Sequence, residues 1–180
     1  SAPLSFGVSH MSSAISQFMH AHPDVRIDMD LSDKRVDLVA EGFDLAIRIG
    51  VLSDSSLIAK KISTVRNIPC ASPDFVSRHP PFKKPEDLEQ LPALVYSNEK
   101  TPNDWRYRGP DGKTGVLRVK PRLSASNGDV LREAAIAGLG ITCLPNFLHY
   151  DAINNGLLQP VLPDYEWAEL DVYAVYPKTT

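Results

Sequence analysis

Residues 25–50 read VRIDMDLSDKRVDLVAEGFDLAIRIG, and the fold turns on how this stretch divides. Val25, Ile27, Met29 and Leu31 alternate with Arg26, Asp28 and Asp30. That is the period of a strand with one dry and one wet face, as at a sheet edge. Ser32 stands where a hydroxyl can cap a helix, Asp33 places negative charge in its first turn, and Val36, Val39 and Ala40 form an inward stripe that Gly42 ends. FDLAIRI then reads as a second strand. Upstream, SAPLSFG is β-like, and Val8, Met11, Ile15, Phe18 and Met19 recur at helical spacing until Pro23. The chain to Gly50 is thus expected to run β-α-β-α-β, which favours a parallel sheet with right-handed crossovers.

Arg48 interrupts the apolar strand near its end. An arginine is almost never buried without a partner, so it either pairs with an acid such as Asp44 or Asp54 or is aimed at a ligand. Beyond SLIAKKIS the pattern changes: eight of the fifteen prolines fall between Pro69 and Pro110, which suggests short elements and entry to a second subdomain. ALVYS (93–97) is a strand, and WRYRGPDGKTGVLRVK a hairpin turning at Pro110, Asp111 and Gly112. Asn127 caps a helix whose Val130, Leu131, Ala134, Ala135 and Ala137 face inward before Gly138. GITCLP is a buried strand, NFLHYDAINNG a short helix, and LLQPVL and LDVYAVYP two final strands. The expected architecture is α/β with two subdomains, residues 1–69 plus 146–180 and residues 70–145. The chain crosses between them twice, at a hinge with a cleft for a ligand. A start in SAPLSFG without Met, and an end at Thr180 without a closing helix, read as a fragment.

Nineteen Lys and Arg against 22 Asp and Glu, interspersed, leave no basic stripe for phosphate binding, so this polypeptide alone is not expected to bind nucleic acid. No run approaches the ~18 apolar residues of a membrane span. Cys70 and Cys143, outside any CxxC pattern, read as reduced core residues of a cytoplasmic protein, with a redox pair as the sharper alternative.

No nucleophile elbow, phosphate-binding loop or metal-protease motif is present, so catalytic residues, metal and cofactors are expected to be absent. His20 and His22 point to different faces of a helix end, and His149 with Asp151 lacks a matching serine. The more informative polar groups follow strand ends and open helices, where ligands sit in open α/β sheets. They are Leu4, Ser5 and Phe6; Ser32; Arg48 with Gly50; Ser97 and Asn98; and Ser126 with Asn127. Each alone reads equally as a cap or turn former; together they outline a polar concavity. Trp105 either covers the core of the second subdomain or walls the cleft.

SAPLSFG, the run from HPDVRIDMDLSDKRVDLVAEGFDLAIRIG, LIAKKI, ASPDFVSRHP, PEDLEQL, AGLGITCLP, and the closing GLLQPVLP with VYAVYP occur in this order over nearly the whole chain. The series resembles the effector-binding domain of LysR-type transcriptional regulators. The resemblance implies two Rossmann-like subdomains joined by two crossover strands, similar to type 2 periplasmic binding proteins. It also implies an N-terminal winged helix-turn-helix in the intact regulator as the only DNA-binding part. A small, anionic or aromatic effector would lie between the lobes. By the same resemblance, Ser32 is the hydroxyl opening the second helix, Ser5 stands in for the serine that other members carry where this chain has Pro3, and Ser97, Asn98, Asn103 and Trp105 are the second-lobe contacts. Homodimers or tetramers would form through the helices near Gly7 and Asn127. The alternative with the same lobes is a transporter's solute-binding protein.

Overall fold

The computed structural model describes residues 1–34, 36–52 and 56–178. The chain is mixed α/β and divides into two compact units, Ser1–Thr64 with Asp171–Thr180, and Val65–Leu170. It passes between them inside strands β2 (Ile58–Ala71) and β10 (Glu169–Tyr176). The sequence places these passages near residues 69 and 145. The later return follows from packing, since Leu148 and Ala152 of helix α5 (Asn146–Asn154) join the core of the second unit.

That second unit is built around strands in the order β2, β7 (Ile141–Pro145), β3 (Pro92–Tyr96) and β6 (Lys120–Ala125). β3 runs parallel to both β6 and β7, whereas β2 is antiparallel to β7. Both faces are covered, which is why PALVY and ITCLP are apolar runs without alternation. On one face Leu94, Leu144 and Cys70 pack against Leu131 and Ala135 of helix α4 (Gly128–Ile136) and Leu148 of α5. On the other, Ala93, Val95 and Ile141 meet Trp105, Leu117 and Trp167. These come from a three-stranded antiparallel sheet of β4 (Asp104–Arg108), β5 (Thr114–Arg118) and β9 (Glu166–Trp167). Each fully buried leucine contributes about 1.5–3 kcal/mol to these layers.

The expected hairpin is present, with Gly112 at φ 79° and Gly109 N–H donating to the Lys113 carbonyl at 2.8 Å. The expected Asn127 helix is α4, ended by Gly138 at φ 77°. Ser72 caps the short helix α3 (Pro73–Ser77) by accepting from Phe75 N–H at 3.2 Å.

The first unit departs further from its expected form. Helix runs from α1 (Leu4–Phe6) through a π turn (Gly7–Met11) into α2 (Ser12–Ala21). Residues 25–30 belong to no strand among the described residues; Val25 N–H donates to the His22 carbonyl at 3.1 Å, and a parallel bridge joins Leu31 to Ala2. Among the described residues no helix follows Ser32 before Pro73. The Ser32 hydroxyl accepts from Lys34 N–H at 3.2 Å, and Asp37 Oδ1 accepts from the N–H groups of Val39 and Ala40 at 3.1 Å each, so the polar side chains close turns, with Glu41 N–H to the Asp37 carbonyl at 2.9 Å as a single helix-like bond. Arg35, within that stretch, lies outside the described residues. The second expected strand is β1 (Ala46–Ile49), paired antiparallel with β10 from Ala46↔Val175 to Ile49↔Val172.

Candidate functional site

In the second unit the parallel pairing of β3 with β6 sets Tyr96 beside Ala125, so the residues that follow each strand emerge together. Ser97 N–H donates to the Ala125 carbonyl at 2.9 Å. Asn98 Nδ2 donates to the Ser126 carbonyl and to Tyr96 Oη, both at 3.3 Å. Asn127 Oδ1 accepts from the N–H groups of Asp129 at 3.0 Å and Val130 at 3.4 Å, opening α4. Four residues singled out in the sequence, Ser97, Asn98, Ser126 and Asn127, thus form one polar cluster at the carboxyl ends of two parallel strands. Ser97, Asn98 and Ser126 are exposed, so the cluster presents polar groups to solvent.

Trp105 is not in that cluster. It is 8% exposed and packs in the core on the β4 side of the sheet, the structural one of its two readings.

In the first unit Leu4, Ser5 and Phe6 open the helical run, and Leu4 N–H donates to Asp33 Oδ1 at 3.1 Å. The carboxylate at this helix start therefore belongs to the protein itself. Sequence position alone puts Asp33 in a first turn; its place immediately after Ser32, in the loop returning past Ala2, is the local signal for this contact. Arg48 is half-buried in β1, and its Nη1 donates to the Ile47 carbonyl at 3.0 Å. It lies near Ser1. Asp54, one of the acids weighed as its partner, lies outside the described residues.

His149 is fully buried on α5. Burial, with the Arg132 guanidinium assisting, pushes its imidazole down to about 4. Neither ring nitrogen reaches a hydrogen-bond partner within ordinary geometry, although the Ile68 backbone lies near enough to oppose the shift. This is a neutral core histidine, not half of a catalytic pair. His20 and His22 are exposed at the end of α2, where His22 stacks on Phe18 with ring centroids 4.5 Å apart. Among the described residues no group of His, Cys, Asp or Glu converges to hold a metal ion, and no helix is long and apolar enough to cross a membrane.

The profile of the LysR substrate binding domain matches residues 1–180. The chain belongs to this family. It is 34% identical over 177 residues to an uncharacterized HTH-type transcriptional regulator of Haemophilus influenzae, covering 98% of this chain and 61% of the relative. It is 35% identical over 172 residues to the HTH-type transcriptional regulator DmlR of Escherichia coli, covering 95% and 55%. The full-length structure of the Vibrio cholerae virulence activator AphB superposes with TM-score 0.84 at 32% identity, over 98% of this chain and 60% of that one. The regulatory domain of CrgA from Neisseria meningitidis gives 0.84 at 26% identity, over 98% and 86%. This LysR-family domain spans 52–61% of the length of the first curated relatives, so the regulators it resembles carry further chain beyond the matched region.

Proposed function

We propose that the chain is the effector-sensing domain of a LysR-type transcription regulator. It takes a small anionic or aromatic molecule as effector, and it reads DNA only through a helix-turn-helix elsewhere in the intact cytoplasmic protein. The observation that carries this reading is the family match over residues 1–180, joined to the polar cluster at the carboxyl ends of β3 and β6. The second lobe contributes Ser97, Asn98, Ser126 and Asn127. The first contributes Leu4, Ser5, Phe6 and Ser32, with Arg48 holding a carboxylate through charge-assisted bonds worth about 1.5–3 kcal/mol. The effector works by population shift, moving lobe closure or the geometry of a dimer or tetramer only by its differential affinity for the two states. The helices beginning near Gly7 and Asn127 form the oligomer contacts. The domain carries no enzymatic activity of its own. Because the curated relatives are regulators, this reading is favoured over a transporter's binding protein.

The test is a thermal-shift screen of the intact regulator against small carboxylic acids and aromatic compounds, followed by titration of Arg48→Ala and Asn98→Ala. A stabilising acid whose affinity drops about tenfold in both variants supports the assignment. Unchanged affinity for acids removes Arg48 from the site. Turnover of a bound compound, surviving these substitutions, overturns the sensor reading.

A further inference from the structure

Glu99 stands directly after Ser97 and Asn98, past the carboxyl end of β3. The parallel register of β3 with β7, Ala93↔Ile141 and Leu94↔Thr142, carries Val95 to the side of Cys143. Both belong to the layer that holds Trp105 and Leu117. The Glu99 carboxyl comes back toward this end of the sheet, near enough to Cys143 for its charge to help raise the thiol after burial has done so. Glu99 is exposed as a residue, yet its carboxyl is crowded enough that burial raises its own pKa. Among the described residues this carboxyl has no hydrogen bond and no ion pair, whereas Asp104, Asp129 and Asp171 each meet a Lys or Arg. A partly desolvated carboxylate without a compensating partner is costly to hold. Such groups gather where a protein takes a ligand.

We propose that Glu99 receives an ammonium group of the effector, beside the strand-end cluster of Ser97, Asn98 and Ser126. The surroundings of the carboxyl select that class. A lone carboxylate next to a thiol that stays protonated supplies too few ligands for a metal ion, and no metal-holding group converges among the described residues. A second carboxylate would meet like charge there. A neutral hydroxyl can donate to Glu99 but leaves its charge uncompensated. A cationic N–H supplies both the charge and the hydrogen bond. Among small acids, those that also carry a protonated nitrogen are therefore preferred, and plain dicarboxylates are disfavoured. The inference rests on the sensor reading, because it takes the strand-end cluster as the effector site, but it does not involve Arg48.

Binding of matched pairs to the intact regulator tests it: alanine against propionate, phenylalanine against hydrocinnamate, and glutamate against glutarate. In at least one pair the amino compound should bind about tenfold or more tightly than its partner lacking nitrogen. Glu99→Gln should bring the two within about twofold of each other while its unliganded melting temperature stays near the parent's. Equal affinity within every pair that binds, or a preference that persists in Glu99→Gln, overturns the assignment and leaves the sensor reading standing. Binding by neither member of any pair also overturns it, and the response to other acids and aromatic compounds then decides the sensor reading separately. If Glu99→Gln fails to fold, Glu99→Asp replaces it: with the charge drawn back by one methylene, only the amino member of a pair should weaken, and weakening of both members equally overturns the assignment.

Discussion

Cys70 and Cys143 stand on adjacent antiparallel strands one residue out of register, Cys70 opposite Thr142 and Cys143 opposite Pro69. Residues directly opposite share a face, so the two sulfurs leave the sheet on opposite sides, Cys70 into the α4–α5 core and Cys143 into the layer beneath β4. The redox pair left open by the sequence is closed by this geometry, because a disulfide needs Cβ atoms that face one another. Burial also pushes the Cys70 thiol up to about 12, and burial followed by the nearby Glu99 and Cys70 raises Cys143 well above its ordinary value. Under a mild oxidant the folded chain is expected to keep both thiols, and maleimide should label Cys70 slowly at neutral pH. Intact mass measured with and without the oxidant checks this, and a rapid intramolecular disulfide in the native state would contradict the strand register.

His149 makes stability depend on acid. Its folded pKa of about 4 lies below the ordinary histidine value of 6.5, so the unfolded chain binds the proton more readily. Stability is therefore retained above about pH 6.5 and falls as the pH drops toward 4, by at most on the order of 3 kcal/mol. Urea midpoints measured at several pH values across that window should fall for the parent chain and flatten for His149→Leu. The same pH dependence in both proteins would mean that other groups carry it.

Asn127 closes the first turn of α4 through two hydrogen bonds. Asn127→Ala is expected to cost about 1 kcal/mol and Asn127→Asp much less, since a carboxylate accepts the same N–H groups and suits the helix dipole. Denaturant titration gives the difference. Were both substitutions silent, α4 would be held by its packing alone.

Trp105, at 8% exposure, belongs to the core beneath β3 and β7. Trp105→Ala should cost about 3–5 kcal/mol, a loss that ligand cannot restore if the indole only packs. A variant of near-native thermal stability but failed effector response would return Trp105 to the site.

Gly140 precedes β7, where a Cβ would run into the Pro92 carbonyl of the adjacent strand, a backbone atom that cannot swing aside. Gly140→Ala is expected to destabilise the β3–β7 pairing by about 1–3 kcal/mol. A melting temperature within error of the parent would show that the strands can separate there without loss.

Much of the second unit is legible from local chemistry. The Pro110–Gly112 turn, the Asn127 cap, and the glycines at 138 and 156 with φ of 77° and 70° each carry their own signal, and each bounds an element where expected. β2 gave no such signal. IAKKISTVRNIPCA neither alternates nor stays apolar, because its first seven residues are exposed and only its far end is buried. Pairing with β7 and with β8 (Gln159–Pro160), not propensity, makes it a strand. The helix expected after Ser32 failed for the converse reason: Ser32 and Asp37 can satisfy N–H groups in turns as readily as in a helix, and the turns prevail. In the site, the β3–β6 cluster followed from strand ends, whereas the capture of Leu4 N–H by Asp33 needed a contact across 29 positions that no local pattern records.

The pairing of β1 with β10 also has a consequence for how the chain is made. Ala46 finds its partner at Val175, so the first unit draws on both ends of the sequence, while Val65–Leu170 holds all the strands of the second unit's core within one continuous segment. During synthesis the second unit can close as soon as its segment leaves the ribosome. The earlier residues must wait, with β1 lacking its β10 partner, until β10 emerges. Order of assembly thus runs against order in the chain, and the long-range closure of β1 on β10 is the late and slow step.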